Sequence, residues 1–299
     1  MRKITFLWKS DKPLFHDLPP WSRAALLVCA LVYFGACAAL ALNQRSALYH
    51  PMLAMDPAPS AAEGSTLDRR GSAGGLHWLA RSGPEARSGL CAPGPSGSRP
   101  AVAYFGGNAE RPSAAAAAAA AKFPGCRVYA LAYPGFEGAP GSPTEESIHR
   151  AADAMVESMR ADGVDMAGSL LMGRSLGSGV AARQASLGAC ALAGLVTPYD
   201  SLELVAADAY PWAPVALLML DRFDARPWAR AARCPAAIVY ADEDAVIAPG
   251  HALALRGFWS RPVLWMGSVL NSDHATILDK HASWASIMDA WTQARGAAR

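Results

Sequence analysis

From residue 101 onward, short apolar runs and helix-length segments take strict turns, and few architectures accommodate that order. The runs at 101–105, 127–132, 169–172, 192–196, 236–240 and 262–266 are continuously apolar after at most one leading polar residue, Arg127 or Ser169, rather than alternating. A strand covered on both faces has that composition, because neither side of its pleat meets water. The segments 113–122, 145–161, 176–187, 201–223, 251–259 and, after the last run, 276–293 have helix length. Strand and helix in alternation predict an α/β domain: a mostly parallel, doubly wound sheet with helices on both faces. Residues 76–81 add a short strand and the Gly-, Pro- and Ser-rich stretch 82–100 a loop, so the globular domain is expected over 76–299. Residues 114–121 are all alanine, with Ser113 ahead of them as a candidate N-cap.

Residues 24–42 carry no charge. At about 1.5 Å per helical residue they reach across a hydrocarbon layer of about 30 Å, which predicts one amino-terminal transmembrane helix. Arg2, Lys3, Lys9, Lys12 and Arg23 precede it and only Arg45 follows closely. The positive-inside rule then places 1–23 in the cytoplasm and the domain over 76–299 on the periplasmic or extracytoplasmic side. Two other readings stay open: Ala39-Leu40-Ala41 has the form of a signal-peptidase site, and Phe34-Gly35-Ala36-Cys37 faintly that of a lipidation box. Residues 43–75, rich in Pro, Ala, Ser and Gly from 56 on, read as a linker. A formal net charge of +2 without a long basic run gives no electrostatic footprint for nucleic acid.

Between the run at 169–172 and the small-residue segment 178–182 lies Gly173-Arg174-Ser175-Leu176-Gly177. G-x-S-x-G between a strand and a helix is the nucleophile elbow, a turn so tight that its flanks must lack a Cβ. An activated serine needs a base, and the base an orienting acid. In an open α/β sheet both should follow strands, at the carboxyl edge. Of the seven histidines, His274 alone follows a strand and precedes the last helix, whereas His251 opens a helix and His281 lies within one. Asp244, four residues beyond the run at 236–240, is the expected acid, with Asp242 the fallback and Asp200 and Asp273 behind it. The chain order Ser175, Asp244, His274 is the one this elbow predicts. The loop after the first parallel strand, Gly106-Gly107-Asn108, supplies an oxyanion amide: Leu176 and Asn108 are the expected donors, with Gly107 the alternative to Asn108. No metal or organic cofactor enters this chemistry.

Several blocks in order resemble the α/β-hydrolases, and within them the small, amino-terminally anchored subgroup that includes lysophospholipid lipases and protein depalmitoylases. They are FGGNAE at 105–110, YPGFEGAPGSPTE at 133–145, GRSLGSG at 173–179, TPYDSL at 197–202 and YPWAPVALLMLDRFDA at 210–225, followed by the acid and histidine segments. Gly106 stands where the family commonly has His, and Asp273 where Gly often precedes the histidine. The resemblance implies an α/β-hydrolase fold and a small-molecule or lipid ester or thioester as substrate. It also implies a strand order in which the strands after Cys190 and Cys234 are adjacent, as are those after Cys91 and Cys126; disulfides in an oxidising compartment, Cys190 with Cys234 first and Cys91 with Cys126 second, and buried reduced thiols are the two readings this leaves. Residues 211–220 allow either core packing of an amphipathic helix or an acyl-chain or membrane-facing surface.

The expected activity is therefore hydrolysis of carboxylic esters or thioesters by a membrane-anchored serine hydrolase. A peptidase or amidase using the same three residues, and a hydrolase-like binding domain without catalysis, are the alternatives. A dinucleotide-binding domain is excluded, since Gly173 to Gly179 lacks the G-x-G-x-x-G spacing.

Overall fold

The computed structural model describes residues 19–51, 65–72, 75–87, 89–94 and 96–297. The cytoplasmic segment expected over 1–23 lies almost wholly outside them, as does much of the expected linker. The chain divides into two compact units, residues 1–43 and 44–299. The first carries most of helix α1, Pro20–Leu48, which by length and composition can cross a membrane. Its apolar side chains Leu27, Leu31, Val32 and Phe34 are exposed. The helix outruns the uncharged stretch at both ends, because backbone hydrogen bonding continues through good helix formers such as Gln44 and Arg45.

The second unit is built on one sheet of eight strands, in the order β1-β2-β4-β3-β5-β6-β7-β8. These are β1 Ser65–Ser72, β2 Gly75–Ser82, β3 Val102–Phe105, β4 Val128–Ala132, β5 Leu170–Arg174, β6 Leu192–Val196, β7 Ala236–Ala241 and β8 Val263–Val269. Strands β3 to β8 are mutually parallel, while β2 pairs antiparallel with both β4 and β1. Between and after them run α2 Pro112–Lys122, α3 Glu145–Ala161, α4 Leu176–Leu187, α5 Leu202–Ala209, α6 Val215–Leu218, α7 Ala225–Arg230, α8 Pro249–Phe258 and α9 His281–Ala297.

Strands β2 to β8 feed two cores. Ala103, Phe105 and Leu171 pack with Met155 of α3, Val180 of α4, Ala229 of α7 and Leu255 of α8. Val102, Tyr104, Leu170 and Met172 pack on the other face with Ala116 and Ala119 of α2 and Trp284 and Trp291 of α9. Alternate residues thus point to opposite apolar layers, which is why no polar positions interrupt the runs. Helix α3 starts where Thr144 and Ser147 form a reciprocal capping box.

Four elements depart from the sequence reading. Ser65–Ser72, read as linker, is an edge strand paired in register from Ser65↔Ser82 to Ser72↔Gly75; its polar composition suits a strand with one exposed side and hides it from an apolar-run criterion. The helix expected over 201–223 is two helices, because Pro211 and Pro214 lack the amide a continuous helix needs. Helix α7, capped by Asp224, follows it where no element was expected. The last helix begins at His281 after a separate 3-10 turn, Ile277–Asp279. Ser113 is not an N-cap: α2 opens at Pro112 behind Arg111, and the buried Ser113 instead gives its amide and hydroxyl to Glu137.

Cys91 is bonded to Cys126, and Cys190 to Cys234. Cys126, Cys190 and Cys234 stand immediately before β4, β6 and β7, at the amino edge of the sheet. Cys29 and Cys37 carry no disulfide.

Candidate active site

Strand β5 lies inside the sheet, and the chain turns sharply at its end. Ser175 there has φ 51° and ψ −120°, a backbone state that side-chain-bearing residues rarely hold. The turn survives because its neighbours are glycines. A Cβ on Gly173 would stand 2.3 Å from the Gly177 carbonyl oxygen, and one on Gly177 would stand 2.0 Å from that of Phe105. Gly179 lets helix α4 approach the Tyr199 hydroxyl, which a Cβ would meet at 2.2 Å. The Ser175 amide donates to Val196 O at 2.9 Å, fixing the elbow to β6.

Three of the expected side chains converge. His274 Nε2 lies 2.9 Å from Ser175 Oγ, and His274 Nδ1 lies 2.8 Å from Asp244 Oδ2. Asp244 is buried and its Oδ1 also accepts the amides of Val246 and Ile247, at 2.9 and 2.8 Å. An ionised carboxylate only accepts, so it places the ring proton on Nδ1 and leaves the Nε2 lone pair for the serine hydroxyl. The arrangement can withdraw a proton from Ser175 and return it to a leaving group.

The other acids are occupied elsewhere. Asp242 is exposed and accepts the amides of Asn271 and Ser272, both at 3.2 Å, thereby shaping the loop that carries His274; those bonds, the Ser272 amide first, hold its carboxyl below the usual range. Asp273 is turned onto Thr276, whose hydroxyl and amide lower its carboxyl in the same way, and onto the Ala275 amide. Asp200 is buried against His251. His251 is buried: its Nδ1 lies 2.7 Å from Asp200 and its Nε2 3.1 Å from Asp208, so it ties α8 to α5. His281 is exposed at the start of α9.

Of the expected amides, Leu176 N–H opens α4, in a first turn that has no intrahelical acceptor to offer. Gly107 N–H donates to Glu110 Oε2 at 2.8 Å. Asn108 is held by its side chain and carbonyl, leaving its own N–H unpaired among the described residues. Two residues without an expected role organise this surround. Arg174 donates to the main-chain oxygens of His274 (3.0 Å) and Ala275 (3.3 Å) and stands 3.5 Å from Glu110. Glu110 in turn accepts from Tyr104. Both were visible as charges inside the motifs GRSLG and FGGNAE, the one signal available for them. Tyr133 donates to Gly106 O at 2.6 Å, and complete burial pushes its phenol well above the usual range, so it remains a neutral donor. Among the described residues no group of three or more His, Cys, Asp or Glu side chains is placed to hold a metal ion.

No protein-family model matches the chain. Two uncharacterized proteins of Mycobacterium tuberculosis are each 33% identical to it over 153 residues, 50% of this chain and 54% of theirs. The chain thus spans about half the length of the curated relatives it matches. Among solved structures, an alpha-beta hydrolase from Vibrio vulnificus superposes with a TM-score of 0.58 at 13% identity, over 77% of this chain and 81% of that one. A membrane phospholipase A superposes with a TM-score of 0.56 at 14% identity, over 92% and 97%. The fold is the α/β-hydrolase fold.

Proposed function

We propose that the protein is a serine hydrolase that cleaves carboxylic ester or thioester bonds of small-molecule or lipid substrates while held at a membrane by residues 24–42. The observation that carries this reading is the unbroken line of hydrogen bonds from Ser175 through His274 to Asp244 on a strained elbow. Ser175 Oγ attacks the acyl carbonyl as His274 Nε2 takes its proton. The oxyanion forms between the Leu176 and Asn108 amides. Collapse expels the alcohol or thiol, protonated by His274, and leaves an acyl group on Ser175; water, deprotonated by the same imidazole, releases the acid. Asp244 holds the ring in the required tautomer throughout. No step calls for a metal or organic cofactor.

The likeness to a membrane phospholipase A and an alpha-beta hydrolase supports the chemistry, and helix α1 supports the anchor. The two disulfides support a domain facing the extracytoplasmic side, with the amino terminus in the cytoplasm. The test is covalent labelling by a fluorophosphonate probe, followed by matched acyl esters, thioesters and amides of graded chain length. Wild type should label and turn over esters, and Ser175→Ala should do neither. Turnover of amides but not of matched esters would make it a peptidase or amidase. A folded wild type that does not label and hydrolyses nothing would make it a binding domain.

A further inference from the structure

The residues that lead out of α1 enter the site. Tyr49 is buried in the core, and the chain on either side of it clasps Asn108: Asn108 Nδ2 donates to Leu48 O at 2.9 Å, and His50 N–H donates to Asn108 O at 3.0 Å. One turn earlier, Gln44 donates to Leu218 O at 3.1 Å and accepts the Leu220 amide at 2.7 Å. Arg45 Nε pairs with the buried Asp221 at 2.9 Å, and the second Asp221 oxygen accepts the Glu145 amide at the start of α3, at 3.0 Å. Residues 44–50 therefore join the segments that follow β3, β4 and β6, all at the carboxyl edge of the sheet.

We propose that residues 44–50 are a positioning element of the active site, setting the direction of the Asn108 amide. The inference rests on the hydrolase reading above. An oxyanion donor must point at a place that is empty until the transition state forms, so no bond to substrate can aim it beforehand. Here the aim comes from both sides of the peptide that carries it. Gly107 N–H is fixed by Glu110, and the Asn108 side chain and carbonyl are fixed by Leu48 and His50, so the intervening peptide plane has little rotation left. Misplacement of a reacting group by about 1 Å is enough to cost about a hundredfold in rate. The segment that supplies the clasp is the last turn of α1 and the two residues after it, so the end of that helix is also part of the catalytic geometry.

The test uses the full chain in detergent micelles. Asn108→Ala removes the side-chain bond to Leu48 and keeps the main-chain amide. His50→Pro removes the N–H that holds the Asn108 carbonyl. Each should lower kcat about tenfold with KM within about twofold, and weaken a tetrahedral boronic-acid inhibitor by the same factor as kcat. Loss of fold alone would lower the active fraction and leave the inhibitor affinity of the remainder unchanged; thermal unfolding of each variant monitors it. Should His50→Pro melt early, Asn108→Ala decides the matter, since it deletes a single half-buried hydrogen bond. If folded Asn108→Ala retains kcat and boronate affinity within twofold while Ser175→Ala is inactive, the clasp has no positioning role and the hydrolase reading stands. A wild type without label or turnover overturns both.

Discussion

Replacing Asp244 by asparagine changes one proton-bearing group and almost no volume. Asp244 Oδ1 accepts the Val246 and Ile247 amides at 2.9 and 2.8 Å, so the asparagine carbonyl oxygen takes that place. Its NH2 group then occupies the position of Oδ2, 2.8 Å from His274 Nδ1. A donor there requires a lone pair on Nδ1, which moves the ring proton to Nε2, facing Ser175 Oγ at 2.9 Å. The imidazole can no longer accept the serine proton. The same change in serine proteases lowers kcat about ten-thousandfold, equivalent to about 5.5 kcal/mol of barrier, and that is the loss expected here. Steady-state hydrolysis of an ester at pH 7 measures it, with unfolding midpoints recorded in parallel; the midpoint should move little, because every polar atom of the asparagine keeps a partner. A folded variant losing less than tenfold would show that Asp244 does not set the tautomer, and the roles drawn from this geometry would have to be withdrawn.

Three further outcomes follow from the packing. Gly177→Ala places a Cβ 2.0 Å from a backbone oxygen of β3 that cannot rotate away, so urea denaturation should show a loss of about 3 kcal/mol or more, or no soluble protein. The disulfides close loops of sequence separation 35 and 44, and the chain-entropy estimate for such loops is about 4 kcal/mol each; paired Cys→Ser variants should lose a stability of that order, and thiol counting on denatured wild type should find none of these four cysteines reactive. Burial holds the His77 imidazole below its ordinary value of 6.5, so the fold favours the neutral ring. Its contribution is complete above about pH 6.5 and is lost as pH falls from there through the folded-state value, at most about 1.4 kcal/mol per pH unit; His77→Phe should flatten that part of the stability profile.

The parallel sheet was legible because burial on both faces erases polar positions, leaving runs such as 192–196 that no amphipathic helix would show. The meeting of Ser175, Asp244 and His274 was legible for a different reason: an elbow admits its partners only after later strands, which narrows the candidates to a few residues. Strand β1 was not, since its stability comes from register with β2 rather than from its own composition. The break after Ala209 was written in Pro211 and Pro214, which a criterion of helix length alone passes over. Nothing in the sequence near His251 signals burial between Asp200 and Asp208, because those partners arrive from 51 and 43 residues away. Arg174 shows as a charge within its motif, but its acceptors are hidden for the same reason, since they lie 100 residues further on.

The two disulfides stand at the amino edge of the sheet, and Ser175, Asp244 and His274 lie beyond the carboxyl ends of its strands. Covalent reinforcement and the proposed chemistry are thereby kept apart. The loops around Ser175 can lengthen, shorten or change composition without breaking a cross-link, and the cross-links can tighten the domain without stiffening the rim a substrate has to pass. On the proposed function, a chain organised this way can change its substrates and its durability independently, each by mutation at its own end of the sheet.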